Sequence, residues 1–268
     1  MSIKYLEISE IGKVGVVTLN RPAKRNALDE SAIDEIDAYF SHIPQHIRVI
    51  LMRAEGNHFC AGLDLKEHHD KQRSAVQFMR VCQAWHTAFD KIQHGGIPVV
   101  ACMQGAVVGG GLELASAAHV RIADKSTYFS LPEGTRGIFT GGGATVRTAK
   151  IVTPNRMVEM MLTGRVVDAE EGLRIGLAHY VCGTESNPVS AYNFALETSQ
   201  RIAENAELSN YAIVSSINRI ADMASTDGLF AEGLMAAVVQ TGIDVQERLG
   251  DFVNKRAHKV KPASKMPG

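Results

Sequence analysis

The sequence predicts an α/β fold that ends in a helical region, and three observations carry that expectation. Short β-branched runs alternate with amphipathic helical stretches roughly every 40 to 50 residues, without the self-similarity of a solenoid. Glycine-rich loops separate these units. From about residue 190 the strand-like runs give way to helix formers. A chain of 268 residues that is 45% hydrophobic and 21% charged has the usage of a compact soluble protein and the length for a sizeable core.

The elements follow in order. In "YLEISEIGKVGVVTLN" two β-rich pieces flank Gly12, which signals a hairpin, and "RPAKRN" breaks the pattern before a helix. That helix, "ESAIDEIDAYFSHI", spaces Ile33, Ile36, Phe40 and Ile43 three and four apart and should end by Pro44. "IRVILMRAE" reads as a buried strand. The loop "GNHFCAGLDLKEH" then leads to a long helix from about Ser74 to Gln93. "IPVVACMQG" repeats the strand, "GGGLELA" opens a helix, and "VRIAD" and "TYFSLPE" give two more short strands. This divides the chain into a core unit, 1–190, and a helical region, 191–268, for which self-association is expected. In the latter, Phe230, Met235, Val238 and Val239 supply apolar surface that suits another subunit or the chain's own core equally. The final "AHKVKPASKMPG" reads as frayed.

Several function classes are disfavoured. A net charge of -1 gives no overall field for nucleic acid or an anionic membrane, so neither is expected as a partner. Cys60, Cys82, Cys102 and Cys182 form no C-x-x-C pair and read as thiols in a reducing compartment. No apolar signal segment opens the chain, which reads as a cytoplasmic protein, and the stretch from Gly95 to Val120 carries a proline, clustered glycines and Glu113, which suit a transmembrane helix poorly. Ten histidines raise the question of a metal, but His42 and His46 straddle Pro44, His68 and His69 are adjacent, and no H-E-x-x-H occurs. No metal site is expected. Gly109 to Leu114 lacks the third glycine of a dinucleotide fingerprint, Gly141 to Thr148 lacks the lysine of a P-loop, and no G-x-S-x-G is present.

The carboxylates are the better lead. Glu113 sits inside an almost wholly apolar segment directly after three glycines and Leu112, where burying an unpartnered charge costs several kcal/mol or shifts its pKa. The glycine-rich entry to its helix leaves outward-pointing N–H groups at the positive end of the dipole, which can hold an oxyanion. Glu133 follows Pro132 in a turn. Taken singly, Glu113 reads as a solvent-facing acid and Glu133 as an ordinary loop acid. Trp85 and His86 read as core residues or pocket lining.

Together, "RPAKRNAL", "FCAGLDLKE", "IPVVACMQGAVVGGGLELA", "FSLPEGTRGIFTGGGA", "MLTGRVVDAEEGLRIGLAHYV" and "FVNKRAHKV" stand in the order and spacing of the crotonase (enoyl-CoA hydratase/isomerase) family, which the chain resembles over nearly its whole length. The A-G-x-D and G-G-G-x-E-L-A pair, followed by P-E, is the specific part. The resemblance implies a spiral of repeated ββα units with a C-terminal helical region that makes trimers, often paired into hexamers. It implies an acyl-CoA thioester as substrate, with coenzyme A part of that substrate and no separate cofactor.

By the same resemblance the backbone N–H groups of Leu63 and Gly110 form a hole for the thioester oxygen, and Glu113 and Glu133 match the two acids of the hydratase branch. Two such acids around one water supply the acid and base that hydration of a double bond requires. Lys24, Arg25, Ala61 and Lys255 fall where the family binds CoA. Isomerisation, or hydration with retro-aldol cleavage of an aromatic enoyl-CoA, uses the same hole and overlapping acids. A non-catalytic thioester binder or an RNA-binding relative is the reading from a different class. The chain departs from the common pattern at Thr140, where proline is frequent, and at Arg136, which leaves the acyl group open; Phe78, Met79, Trp85 and His86 are expected along the acyl wall.

Overall fold

The structure is a computed structural model and describes residues 5–256. Strands β1 (Leu6–Ile11) and β2 (Val14–Leu19) form the expected antiparallel hairpin, with Ile11 opposite Val14. Helix α1 (Glu30–Ser41) begins at Asp29, whose side chain accepts from the Ala32 N–H, and buries Ile33, Ile36 and Phe40. After β3 (Val49–Ala54) come a short helix α2 (Leu65–Lys71) and the long α3 (Ala75–His94). Helix α3 starts in a reciprocal capping box between Ser74 and Gln77. Helix α2 lies within the stretch read from sequence as loop; seven polar-rich residues hold too little periodicity to announce it.

Next are β4 (Val99–Met103), β5 (Ala106–Val108), α4 (Gly110–Ala117), β6 (Val120–Asp124) and β7 (Tyr128–Ser130). Helices α5 (Arg147–Val152) and α6 (Pro154–Thr163), strand β8 (Val167–Asp168), helix α7 (Ala169–Arg174) and strand β9 (Tyr180–Cys182) complete the core unit. The carboxy-terminal region holds α8 (Ala191–Ala203), α9 (Glu207–Ala221), α10 (Ser225–Val239) and α11 (Val245–Val253). The tail read as frayed lies outside the described residues from 257 onward.

A six-stranded sheet runs β1-β2-β3-β4-β6-β9, parallel except at the hairpin, and a smaller sheet runs β5-β7-β8. The middle of the large sheet, β2, β3 and β4, is buried on both faces, which explains why β3 reads as an unbroken apolar run. Side chains alternate across a strand, so Ile50 and Met52 join the core under α1 and α3, while Val49 and Leu51 face the opposite side. That second side is covered by α8 through Ala191, Phe194 and Ala195. The helical region beginning at residue 191 therefore starts with a helix that is a layer of the core.

Beyond it the packing thins. Along α10 only Gly228 is buried, and Leu229, Phe230, Leu234 and Val238 are exposed. Met235 and Val239 are half-buried and line a groove with Ala212, Ser216 and Ile217 of α9, so two of the four apolar residues singled out in the sequence pack on the chain itself, and Phe230 and Val238 do not. No helix among the described residues is long and apolar enough to cross a membrane.

Candidate active site

The site forms where the loop after β3 crosses the entry to α4. Cys60 bridges to β5: its N–H donates to Ala106 O at 2.9 Å, and its carbonyl accepts from the Val108 N–H at 3.1 Å. On the loop's other side the Leu28 N–H donates to Gly62 O, and the Asp64 N–H donates to Leu28 O, each at 2.8 Å. Successive N–H groups of an extended segment alternate in direction, so the Leu63 N–H points away from Leu28, toward the start of α4. There Gly110 is the first helical residue, whose N–H has no acceptor within the helix.

Two glycines let these donors meet. Gly62 has φ +88°, and a Cβ there would stand 2.9 Å from the Gly110 nitrogen and 2.6 Å from Val108 O. A Cβ on Gly110 would stand 2.6 Å from Trp85 Cζ3 and 3.4 Å from the Leu63 nitrogen. Neither glycine puts a Cβ of its own between the two N–H groups. A thioester oxygen seated there meets two fixed donors and the positive end of α4.

Glu113 lies three residues beyond Gly110 and so on the same side of α4. It is 3% exposed, and its Oε1 accepts from the Gly142 N–H at 2.8 Å and the Ala144 N–H at 3.0 Å. Burial pushes its carboxyl above the usual range, against the pull of those donors. Glu133 ends the loop after β7; it is 5% exposed, and its Oε2 is shielded from solvent with no hydrogen-bond partner among the described residues. Burial, reinforced by the charge of Glu113 and opposed by Arg136, pushes Glu133 up to about 7. The structure brings Leu63, Gly110, Glu113 and Glu133 onto one cleft, and both acids are buried, contrary to the ordinary readings of each.

Asp64, which ends the "AGLD" motif, has a different task. It caps α2 by accepting from the Lys66 and Glu67 N–H groups and pairs with Lys24 at 2.9 Å and Arg21 at 3.1 Å. Burial tends to raise its pKa, but these partners hold it below the usual carboxylate range. It is the buckle between the "RPAKRN" turn and the site loop.

On the inner side the cleft holds about 390 Å³. Phe78, Val81, Cys82 and Trp85 of α3 form one wall, spaced to share a single helix face, and the loop Ile138 to Gly142 forms the other. Met79 and His86 were expected on this wall. They are exposed and do not line the cleft, because they stand seven residues apart on a different face of α3. Trp85 is at once pocket lining and core, 5% exposed and packed edge-on against Phe89.

A neck lined by Leu63, Gly110, Glu133 and Ile138 leads outward to a second cleft of about 1270 Å³, bordered by Lys24, Arg25, Ala61, Lys66 and Arg136. Lys24 reaches this cleft while paired with Asp64. Lys255 does not line it: it stands exposed beyond the end of α11, where the chain turns through φ +58°. Lys66 escaped the sequence reading because α2 did. Arg147 escaped it as well; its guanidinium donates to Gln93 Oε1 at 2.6 Å and to Gly142 O at 3.2 Å, and so holds the loop that ligates Glu113. No cluster of three or more His, Cys, Asp or Glu side chains suited to a metal occurs among the described residues.

A family model described as enoyl-CoA hydratase/isomerase matches residues 10–262. The short-chain-enoyl-CoA hydratase of Clostridium acetobutylicum is 31% identical over 222 residues, 82% of this chain and 83% of that protein. An enoyl-CoA isomerase/hydratase of Penicillium crustosum is 32% identical over 210 residues; this covers 74% of this chain but only 24% of that longer protein. Among solved structures, a Rhodopseudomonas palustris protein described as a candidate enoyl-CoA hydratase is 42% identical, with a TM-score of 0.88 over 94% of this chain and 95% of that one.

Proposed function

The chain belongs to the enoyl-CoA hydratase/isomerase family, and from that premise we propose that it adds water syn across the 2,3 double bond of a 2-enoyl-CoA thioester. The observation that carries this reading is the pair of buried acids on the inner cleft, Glu133 with an unpartnered Oε2 and Glu113 anchored on two backbone N–H groups. A site that only bound a thioester would gain nothing from two desolvated carboxyls.

The thioester oxygen sits between the Leu63 and Gly110 N–H groups, with the CoA portion in the outer cleft beside Lys24, Arg25, Ala61, Lys66 and Arg136, and the acyl group inside. One water lies between the two carboxyls. Glu113, whose anion is held by Gly142 and Ala144, takes a proton from that water as its oxygen adds to C3. Negative charge moves to the thioester oxygen, where the two N–H groups and the dipole of α4 stabilise the enolate; one such donor contributes on the order of 2.7 to 4 kcal/mol. Glu133, held protonated up to about pH 7, delivers the proton to C2. Water is thereby divided as OH to C3 and H to C2, and proton exchange with solvent resets the acids.

Coenzyme A is part of the substrate in this scheme. The exposed Leu229, Phe230, Leu234 and Val238 support assembly of copies of the chain into a trimer or hexamer. The test is a panel of short, long and aromatic 2-enoyl-CoA thioesters, followed by loss of the conjugated thioester absorbance and by product mass. Hydration gives a gain of one water. An unchanged mass with a moved double bond marks isomerisation, and an aldehyde marks retro-aldol cleavage; either would replace the proposal.

A further inference from the structure

Resting on the hydratase reading, we propose that the acyl group this site is built for carries an oxygen acceptor on the far side of C3, an ether or carbonyl oxygen that takes a hydrogen bond from the Thr140 hydroxyl. Two residues that line the cleft carry a polar side-chain atom that is shielded from solvent without a partner among the described residues: Glu133 Oε2 and Thr140 Oγ1. The first has a use in the proposed reaction, since it meets the reacting water. The second has none, and leaving such a hydroxyl unpaired costs about 1 to 3 kcal/mol.

The placement of Thr140 points to the acyl group. Leu63, Gly110, Glu133 and Ile138 line both the neck and the inner cleft, whereas Thr140, like Glu113, lines only the inner cleft, together with Phe78, Cys82 and Trp85; the loop is held on Glu113 at Gly142 and runs back from there through Gly141 to Thr140. The next residue, Gly141, packs against α3 at this inner end: a Cβ there would stand 2.8 Å from Cys82 Sγ and 4.0 Å from Phe78 Cζ. Thr140 is therefore set off from the reacting pair on the acyl side of the neck, in a wall otherwise largely aromatic and aliphatic. A plain hydrocarbon chain would bury it unpaired. An acyl oxygen at that depth pairs it, and the Phe78, Val81 and Trp85 surfaces take the remaining carbon. A valine at this position would have nearly the same shape and no such penalty.

The experiment uses saturated thioesters with no leaving group at C3, which bind without reacting: hexanoyl-CoA, its 5-oxa analogue, with one methylene replaced by an ether oxygen, and its 4-oxo analogue, with a ketone oxygen on C4. Affinities are measured by titration calorimetry on the wild-type protein, Thr140→Val and Thr140→Ser, with thermal melts to confirm folding; Thr140→Ala replaces the valine variant if that one does not fold. Wild type should bind one of the two oxygen-bearing analogues at least as tightly as hexanoyl-CoA. Thr140→Val should shift the ratio toward hexanoyl-CoA by about 10- to 100-fold, and Thr140→Ser should restore it. The same affinity ratio in wild type and Thr140→Val would overturn the inference, and would mean that solvent or the protein itself satisfies the hydroxyl. Failure of wild type to bind any of the three thioesters would instead overturn the acyl-CoA reading on which it rests.

Discussion

Replacing Glu133 with glutamine should make the protein more stable and nearly inactive. The buried carboxyl is pushed from 4.5 up to about 7 in the folded chain, chiefly by burial and then by Glu113. The folded state thus binds this proton more tightly than the unfolded chain does, so the stability it contributes is fully present below pH 4.5 and is lost as pH rises through 7. A displacement of this size corresponds to a loss of about 3 kcal/mol across that window. Glutamine keeps the shape of the protonated acid and carries no charge to desolvate, so Glu133→Gln escapes the loss. Urea unfolding of both proteins at pH 5 and pH 8 measures it: the variant should gain on wild type between the two values by a few kcal/mol, while turnover falls roughly 10² to 10⁴-fold. Equal pH dependence of stability in the two proteins would refute the argument, because Glu133 would then ionise as freely folded as unfolded.

The same displacement predicts that kcat/KM for hydration falls as pH rises through about 7, since the acid that protonates C2 is then lost; the pH profile of wild type checks this, and Glu133→Gln should lack that limb. Gly110→Ala places a methyl 2.6 Å from Trp85 Cζ3 and beside the Leu63 N–H, so a strained protein with kcat down about 10² to 10³-fold is expected from steady-state kinetics and melts. Charge removal at Arg25 or Arg136, each bordering the outer cleft, should raise KM for CoA thioesters with little change in kcat, an effect that titrations in rising salt should erase. Phe230→Asp, on the exposed face of α10, should lower the mass seen by light scattering.

The middle of the large sheet was legible because its strands there are buried on both faces and their apolar runs stand out, as in "VILM" of β3 and "VVACM" of β4. Helix α1 was legible through the spacing of Ile33, Ile36, Phe40 and Ile43. The short α2, α5 and α7 were not, since six or seven residues carry less than two turns of pattern and owe their helicity to packing and capping. In the site, the resemblance singled out Glu113, Glu133, Leu63 and Gly110, and the structure sets all four on one cleft. Sequence could not show which face of α3 lines that cleft, so Met79 and His86 were misplaced. Nor could it foresee Arg147, whose part depends on a contact with Gly142 O that no local pattern encodes.

Two acids serving one water are the core of the proposed chemistry, and the most direct test is kcat for Glu113→Gln, Glu133→Gln and the double variant, with product-CoA affinity measured alongside. If both acids manage the protons of a single addition, each single variant should lose roughly 10² to 10⁴ in kcat, the double should be little worse than either, and thioester affinity should be nearly intact in all three. Wild-type hydration by Glu133→Gln, beside an inactive Glu113→Gln, or losses that simply multiply in the double variant, would contradict it.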